Sequence, residues 1–284
     1  MTTTATSPRR SLLRLAAIAL APVLSLPACG VQSSSATTLN ATVADGKSAV
    51  ITIENGKIEV IKDPGATSLQ ITAEVRCYGK DQAEADTRLK AATLVTQRDS
   101  EGQVRIAVNT PTRAKGAWGS FNSDVTHITV RAADLSGITA TTSNGAITIG
   151  AFSGAATLET SNGAITVNGH SGPVQATSSN GSITIHGAPS VVAETSNGDI
   201  DVRLDESATG ELALETSNGS VTVELSEAWQ GTVRAETSLG SINLSGGTVT
   251  GKGDSKSMTI GDAGKSKASI ETSLGSVTVR QAKK

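Results

Sequence analysis

The second half of the chain repeats one short motif. From residue 138 onward a pattern of the type Thr-Ser-Asn-Gly-x-Ile-Thr-Val recurs, and its glycines lie 18, 18, 17, 21, 21 and 35 residues apart. Because the last interval is close to two periods, Ser257–Ile260 is predicted to be a degenerate eighth unit, with Lys256 in place of the glycine. A fixed period near twenty residues is typical of stacked repeats, in which each unit buries its apolar side against its neighbours.

The turn of each unit lies at its glycine. The predicted structural turn residues are Asn144, Gly145, Asn162, Gly163, Asn180, Gly181, Asn197, Gly198, Asn218, Gly219, Gly240 and Gly275. The last two follow Leu239 and Leu274, so the glycine is present even where the asparagine is not. We therefore infer that the backbone bend at the glycine matters more than the amide before it.

Each unit carries two strand signals with a period of two residues. Ile138 and Ala140 fall on one side before the first turn, and Ile147 and Ile149 fall on one side after it. Alternation places the Thr or Ser of the motif inward as well, and leaves Glu, Ser, Asp and Thr on the outer side. The pattern predicts an apolar interior that includes Ile183 and a short, polar exterior.

Two arrangements fit these strand signals. Asn-Gly is the strongest short signal for a hairpin, so a stack of antiparallel hairpins is one alternative. Parallel coils of about 17–21 residues over residues 136–284 are favoured, because the whole unit recurs in one order with one face pattern. Parallel stacking places like residues on like at about 4.8 Å, so that asparagines can hydrogen-bond in a ladder.

Residues 39–135 follow a different pattern. Strands are predicted over 50–53, 56–60, 69–75, 104–108 and 125–130, and one helix over about 81–96. The apolar side of that helix would carry Ala83, Leu89, Ala92 and Val95. We interpret this part as the capping end of the coils, because an open first coil needs its edge covered. A separate domain is the alternative.

Residues 1–28 have the features of an export signal. Arg9, Arg10 and Arg14 precede an apolar stretch, which ends in Leu26-Pro27-Ala28-Cys29-Gly30. That ending resembles the lipobox of bacterial lipoproteins, and the resemblance implies that the chain is cleaved before Cys29 and that Cys29 is lipidated. An ordinary secretory signal is the alternative, and residues 8–13 also resemble a twin-arginine signal. A Ser-rich tether is predicted over residues 29–38.

The composition argues against nucleic acid as a partner. The chain has 24 Lys and Arg against 26 Asp and Glu, and only five aromatic residues. It therefore lacks both a basic footprint and a set of stacking side chains. Loss of residues 1–28 would remove three arginines and leave a net charge of −5. A chain of this charge is not attracted to an anionic bilayer, so a lipid anchor is the predicted link to the membrane. Cys77, the remaining cysteine, is expected to be a buried thiol.

Two acidic groups are candidate sites. The first is a column of outward glutamates formed by Glu159, Glu194, Glu215, Glu236 and Glu271. These could collect Ca²⁺, but solvated carboxylates are the expected reading, because calcium needs six to eight oxygens from a tight loop. The second is Asp199, Asp201 and Asp205 with Arg203, the type of group that a polysaccharide-cleaving β-helix enzyme uses. No metal, cofactor or catalytic residue is predicted.

Other candidates are isolated side chains or arrays. Three histidines lie in loops or at strand ends and are expected on the surface: His127, His170 and His186. A metal site would need a third ligand, which the repeat does not supply. Trp118 and Phe121 lie in a Gly-rich loop that could meet a ligand or cover one end of the coils. The outward pairs 146/148, 164/166, 182/184 and 220/222 would form a hydroxyl ladder, of the kind that orders water or binds ice.

The repeat also resembles a known family. The recurring motif, the early Glu-Asn-Gly-Lys-Ile-Glu-Val at 54–60 and the single helix are similar to the putative-adhesin, β-strand-repeat family, domain of unknown function 4097, over about residues 45–280. The resemblance implies a single-stranded right-handed parallel β-helix, or β-solenoid, at the cell envelope. It also implies a link to envelope stress, and it supplies no catalytic residues.

These observations predict a non-catalytic lipoprotein on the extracytoplasmic face of the bacterial cell membrane. Its β-solenoid surface would serve adhesion, binding or scaffolding, with a cell-wall polymer or an envelope protein as the candidate partner. A polysaccharide-acting enzyme and a water-ordering surface are the alternatives. The last coil, near Val277–Val279, is predicted to be an exposed edge where copies could associate.

Overall fold

The computed structural model describes residues 33–112, 123–206, 208 and 210–282, and over these ranges the protein is all-β with one short helix. The strands form one sheet of eleven and one of twelve, in which most neighbours run parallel. The all-β prediction is therefore confirmed. The predicted signal peptide, Cys29, and the loop with Trp118 and Phe121 lie outside the described residues. Within the described ranges, no helix has the length and hydropathy needed to cross a membrane.

The N-terminal part contains both parallel and antiparallel strands. Its elements are β1 (Ser33–Val43), β2 (Ser48–Asn55), β3 (Ile58–Lys62), β4 (Leu69–Gly79), α1 (Gln82–Lys90), β5 (Thr93–Arg98), β6 (Gln103–Asn109) and β7 (Val125–Ala132). β4 pairs antiparallel with both β1 and β7, and β5 pairs antiparallel with β6. β2 and β3 pair in parallel with the first repeat, so both sheets run on from this part into the repeats.

The predicted tether over residues 29–38 is wrong from Ser33 onward. Residues 33–38 begin β1, which pairs with β4 over its whole length, from Ser33 opposite Gly79 to Val43 opposite Leu69. Every second residue of β1 is half-buried, and Leu39, Ala41 and Val43 pack against the core. The Ser and Thr content of the segment hid this alternation, because small hydroxyl residues occur in both linkers and strands.

The predicted helix over 81–96 is too long. α1 starts as expected, since the Asp81 side chain accepts a hydrogen bond from the Glu84 backbone N–H at 2.8 Å. It ends at Lys90, and residues 93–98 form β5. The β-branched residues Thr93, Val95 and Thr96 favour a strand, and pairing with β6 stabilises one. The helix buries Ala85 and Arg88, whereas Ala83, predicted on its apolar side, is exposed.

The repeats each contribute one strand to each sheet. Repeats 1 to 5 are β8 (Gly137–Asn144) with β9 (Ile147–Ile149), β10 (Ala155–Asn162) with β11 (Ile165–Asn168), β12 (Val174–Asn180) with β13 (Ile183–His186), β14 (Val191–Asn197) with β15 (Ile200–Arg203), and β16 (Leu212–Asn218) with β17 (Val221–Leu225). Repeat 6 is β18 (Gly231–Leu239) with β19 (Ile242–Ser245), β20 (Thr248–Lys252) and β21 (Ser255–Ile260) follow, and repeat 7 is β22 (Lys267–Leu274) with β23 (Val277–Gln281).

Neighbouring repeats pair in parallel and in register. Ile147 lies opposite Ile165, and Ile165 lies opposite Ile183, so each apolar column runs through successive repeats. The alternative of stacked antiparallel hairpins is therefore wrong for the repeats. Their apolar residues form one buried cluster, and the prediction that Ile183 faces inward is confirmed, because its side chain is fully buried.

The spatial order of the last repeats differs from their chain order. Repeat 7 lies between repeats 5 and 6, with β22 between β16 and β18 and β23 between β17 and β19. The prediction that Val277–Val279 forms an exposed last coil is therefore wrong. The edge strands at this end are β19 in one sheet and β20 in the other.

The predicted eighth unit is also wrong. Ser257–Ile260 belongs to β21, which pairs antiparallel with β18 and β20 and does not form a coil. A coil needs a residue without a side chain at its turn, and Lys256 stands there. The Lys256 Nζ instead donates a hydrogen bond to the Ile242 carbonyl oxygen at 2.7 Å.

The turn glycines are required by close contact between repeats. A Cβ atom on Gly163 would lie 2.1 Å from the Gly145 carbonyl oxygen, and one on Gly181 would lie 2.0 Å from that of Gly163. Neither glycine has a left-handed φ. The turn glycines are thus needed less for the bend itself, as the sequence predicted, than because the neighbouring backbone leaves no room for a side chain.

Candidate functional site

The inner hydroxyls of the motif join each repeat to its neighbour in the stack. Thr160 Oγ1 donates a hydrogen bond to the Gly145 carbonyl oxygen at 3.0 Å, and Ser178 Oγ donates to that of Gly163 at 3.1 Å. The same bond recurs further along from Thr195, Thr216, Thr272 and Thr237. These residues are buried, so each hydroxyl is paired as burial requires. They fix the register in which the outer residues are displayed.

The motif asparagines form a ladder along one corner of the stack. Asn144 Nδ2 donates to Asn55 Oδ1 at 2.7 Å, and Asn162 Nδ2 donates to Asn144 Oδ1 at 2.9 Å. The series continues through Asn180, Asn197 and Asn218 at 2.9–3.0 Å. The predicted ladder is confirmed. It ends where Leu274 and Leu239 take the place of asparagine, and both leucines are exposed.

One outer face carries a column of threonines. We define the threonine column as Thr148, Thr166, Thr184, Thr222 and Thr278, all half-buried at equivalent positions of the eleven-stranded sheet. Asp201 interrupts it between Thr184 and Thr222. The threonines of the predicted hydroxyl ladder therefore lie in register on neighbouring strands. The column presents polar groups at the spacing of adjacent parallel strands.

A charged column runs beside the threonine column. Glu224 Oε2 lies 2.8 Å from Arg280 Nη2 and 3.2 Å from Arg203 Nε. The hydrogen bond from Arg280 and the positive charge of Arg203 lower the pKa of Glu224, against a smaller opposing effect of desolvation. Arg203 and Arg280 thus both pair with Glu224, and these three charges neutralise one another in part.

The predicted aspartate group does not converge on one point. Asp199 Oδ1 accepts a hydrogen bond from the Ser220 backbone N–H at 2.8 Å, and Asp201 Oδ1 lies 3.6 Å from His186 Nε2. Arg203 pairs with Glu224 on the next repeat, and Asp205 lies beyond the end of β15. Each side chain therefore faces a different neighbour.

The glutamate column is continuous over four repeats. Glu194, Glu215, Glu271 and Glu236 occupy successive strands, whereas Thr177 separates Glu159 from them. Glu236 accepts two hydrogen bonds from Arg234, at 2.9 and 2.6 Å, and they lower its pKa. Across the described ranges, no group of three or more His, Cys, Asp and Glu side chains has the geometry to hold a metal ion.

The three histidines have different surroundings. His170 is fully buried, so its predicted surface position is wrong. Its Nε2 lies 2.7 Å from the Gly154 carbonyl oxygen, which fixes the loop before β12 onto the loop of the previous repeat. His127 is exposed in β7, where its Nδ1 accepts a hydrogen bond from the Lys57 backbone N–H at 2.9 Å. His186 is half-buried at the end of β13.

A groove of about 400 Å³ lies on the N-terminal part of the eleven-stranded sheet. Residues of β1, β4 and β7 line it, among them Glu74, Arg76, Tyr78 and His127. A second depression of about 600 Å³ shares Tyr78 and His127 and extends to Asn55 and Asn144, where the asparagine ladder begins. No sequence pattern indicates either depression, because both depend on the antiparallel packing of β4 against β7.

A partly buried ion pair in the N-terminal part has no counterpart among the predicted sites. Arg88 of α1 pairs with Asp124 and donates hydrogen bonds to the carbonyl oxygens of Tyr78 and Pro111. Asp124 Oδ1 in turn accepts from the Tyr78 backbone N–H at 3.0 Å. Nearby, Cys77 is a free, buried thiol as predicted, and burial raises its pKa. No spacing in the sequence links residues 78, 88, 111 and 124.

Neither protein-family models nor curated protein sequences match the chain. Similar folds occur among solved structures. A putative cell adhesion protein from Clostridium sporogenes ATCC 15579 is 12% identical at a TM-score of 0.32, over 87% of this chain and 100% of that one. A putative adhesin from Bacteroides fragilis NCTC 9343 is 10% identical at a TM-score of 0.39, over 87% of this chain and 97% of that one.

A third similar structure is a putative lipid binding protein from Parabacteroides distasonis ATCC 8503, 13% identical at a TM-score of 0.27, over 87% of this chain and 97% of that one. Identities and TM-scores at this level carry no inference about function. The resemblance of the motif to the domain-of-unknown-function-4097 family stays a resemblance, since no family model matches.

Proposed function

We propose that this protein is a non-catalytic binding or scaffolding protein of the bacterial cell envelope, and that its repeats form a right-handed β-helix. Lipid on Cys29 would hold it on the extracytoplasmic face of the cell membrane. The threonine column is the observation that carries the proposal, because it repeats one polar group at the spacing of neighbouring strands. A link to envelope stress, which the family resemblance implies, belongs to the same hypothesis.

The ligand that fits such a face is an extended polymer with regularly repeated polar groups. Each threonine in the column can donate and accept a hydrogen bond, and the parallel strands hold the hydroxyls at fixed spacing. A cell-wall polysaccharide has this chemistry, and we therefore favour a wall polymer over an envelope protein as the partner. Many weak, equivalent contacts would add through multivalency along the column.

Capture experiments test this function. The purified protein is mixed separately with wall-polymer, lipid and protein fractions of the envelope, and saturable capture of wall polymer is expected. Thr166→Lys with Thr184→Lys should abolish capture, because two long charged side chains would then stand in the middle of the threonine column.

The matched control is Thr157→Lys with Gln175→Lys. It introduces the same charges in repeats 2 and 3 but on the outer side of the other sheet. It should leave capture unchanged. Equal capture by the two double variants, or no capture of wall polymer by the parent protein, would contradict the proposal.

The lipid anchor has its own test. In Cys29→Ala cells the protein should appear in the medium or as an unprocessed precursor. Fractionation with the membrane that is identical to the parent's would contradict lipidation.

The absence of catalysis is also part of the proposal. Asp199→Ala with Asp201→Ala should leave polymer capture unchanged, and neither the parent nor this variant should shorten the polymer. Cleavage by the parent that the double variant loses would instead establish the polysaccharide-acting enzyme. The dispersed partners of Asp199, Asp201 and Arg203 favour the first outcome.

A further inference from the structure

Repeat 7 occupies a slot between two repeats that precede it in the chain. The chain forms repeat 5, passes to repeat 6, makes the β20–β21 hairpin, and then returns to place β22 between β16 and β18 and β23 between β17 and β19. Repeats 1 to 5 instead stack in chain order. Each sheet thus contains one strand of repeat 7 that is inserted between strands formed earlier in the chain.

The contacts of repeat 7 are the same on its two sides. A Cβ on Gly275 would lie 2.0 Å from the Gly219 carbonyl oxygen, and one on Gly240 would lie 1.8 Å from that of Gly275. Thr272 Oγ1 donates to the Gly219 carbonyl oxygen at 2.9 Å, and Thr237 Oγ1 donates to that of Gly275 at 3.0 Å. These are the bonds that join all other neighbouring repeats, so they specify a repeat and not a particular copy of one.

The slot also has contacts that are specific to this segment. Gln281 Nε2 donates to the carbonyl oxygens of Ser226, Glu227 and Trp229 at 3.3, 2.8 and 3.1 Å. The Ala282 backbone N–H donates to the Leu225 carbonyl oxygen at 2.8 Å. These acceptors lie at the end of β17 and in the loop from β17 to β18, in which Trp229 is fully buried. The loop therefore spans the width of repeat 7 and leaves a gap between repeats 5 and 6 that repeat 7 fills.

The connection to repeat 7 is short and mostly exposed, and Thr232 of β18 donates hydrogen bonds to its Ala263 and Ser266 carbonyl oxygens. Residues 261–265 are exposed, Gly261 has a left-handed φ of +59°, and Gly264 N–H donates to Asp262 Oδ1 at 3.0 Å. Six residues separate β21 from β22, and fully extended they reach about 20 Å. Such a link can open while the strands at its two ends keep their own structure.

We propose that repeat 7 is an exchangeable segment: residues Lys267–Gln281 of one copy can fill the slot between repeats 5 and 6 of a second copy. Exchange of this kind needs no new contact, because the joined copies make the contacts of the single one, and its cost is the opening of the link. The partner is therefore a second copy of this chain. The inference is independent of the polymer-binding function.

Cross-linking between copies tests the exchange. Glu215 and Glu271 are exposed and lie opposite each other on β16 and β22. Full-length Glu215→Cys and Glu271→Cys proteins are mixed, warmed in mild denaturant, returned to buffer, and treated with a short thiol cross-linker. Exchange predicts cross-linked dimers that contain one chain of each variant.

The matched control is a mixture of Glu194→Cys and Glu215→Cys proteins. These positions are also opposite each other, but on repeats 4 and 5, which stack in chain order. The first mixture should give several-fold more mixed dimer than the control. Equal yields from the two mixtures would overturn the proposal.

The double variant Glu215→Cys with Glu271→Cys verifies the starting structure. It should cross-link within a single chain before any warming, without a change in mass beyond the cross-linker. Failure to do so would show that repeat 7 does not lie beside repeat 5, and that result would overturn the proposal as well. The polymer-capture assay plays no part in either readout, so the two proposals can fail separately.

Discussion

Repeats 1 to 5 and the N-terminal part are stabilised in different ways. In the repeats, the same few contacts recur at each step: an inner hydroxyl on a glycine carbonyl, an asparagine on an asparagine, and Ile or Val on Ile or Val. The N-terminal part shares the apolar core of the repeats, but its buried polar contacts occur once each, such as the pairing of Arg88 with Asp124. The polar contacts of the repeats are therefore distributed evenly along the stack, whereas those of the N-terminal part lie at a few particular residues.

The largest expected effect is on a turn glycine. Gly181→Ala should destabilise the protein by more than about 4 kcal/mol, because its Cβ would lie 2.0 Å from a carbonyl oxygen held by the repeat below. Thermal and denaturant unfolding measure the change. Gly137→Ala is the control, since its Cβ would make only ordinary van der Waals contacts, with the Ser48 Cβ at 3.6 Å and the Ala155 carbonyl oxygen at 4.0 Å. Similar losses for the two variants would contradict the close-contact explanation.

A column residue of the core should have the next largest effect. Ile183→Ala removes most of a fully buried side chain and should cost about 2–5 kcal/mol of unfolding free energy. The outward neighbour Thr184→Ala should cost much less. Because the repeats unfold as coupled neighbours, hydrogen exchange should speed up in repeats 2 and 4 as well. An unchanged melting temperature for Ile183→Ala would refute the inward assignment.

Loss of the partly buried ion pair between Arg88 and Asp124 should have a local effect. Arg88→Ala removes the positive partner of Asp124 and the hydrogen bonds that Arg88 donates to the carbonyl oxygens of Tyr78 and Pro111, and should cost about 3 kcal/mol. The loss should appear as faster hydrogen exchange in α1, β4 and β7, with the repeats unchanged. Equally increased exchange in repeats 2 to 4 would show that the two regions do not differ in the way described.

The asparagine ladder should tolerate substitution. Asn180→Leu removes two side-chain hydrogen bonds at an exposed position and should cost about 1 kcal/mol. Leucine already stands at the equivalent place in repeats 6 and 7. Asn218→Leu loses a single bond, to Asn197, and should cost less. A loss from Asn180→Leu as large as that from Ile183→Ala would show that the ladder is a main source of stability.

The smallest expected effect is on the pH dependence. The folded pKa of Glu224 is lowered, so its stabilising contribution is complete above the unfolded value of about 4.3 and is lost as pH falls through the folded pKa. Glu224→Gln should therefore lower the melting temperature slightly near neutral pH and have a smaller effect in acid. An equal effect at both pH values would contradict the assigned pairing with Arg203 and Arg280.

The sequence predicts what repeats and misses what does not. Alternation and period locate the inward columns, the asparagine ladder and the threonine column, because each depends on residues at equivalent places in consecutive units. The Arg88–Asp124 pair joins positions 36 residues apart with no pattern between them. The start of β1 could not be predicted, because Ser and Thr residues are common in linkers as well as in strands. Its position is determined by pairing with β4.

The position of repeat 7 between repeats 5 and 6 could not be predicted from the sequence, for a related reason. Repeats 5, 6 and 7 carry nearly the same motif, so either order satisfies the columns. The information lies in residues outside the motif: Lys256, which prevents a coil at 255–260, and Gln281, which caps the β17–β18 loop. The same limit applies to the grooves beside Tyr78, which are created by packing between distant strands.

Distance measurements between spin labels test the in-register parallel stack most directly. Labels at Glu159 and Glu271 are separated by four strand spacings in this structure, and labels at Glu159 and Glu236 by five. At about 4.8 Å per strand these distances are about 19 and 24 Å. We predict that the Glu159–Glu236 distance is the longer one by a single strand spacing. The reverse order would contradict the placement of repeat 7, and distances unrelated to strand spacing would contradict the parallel stack itself.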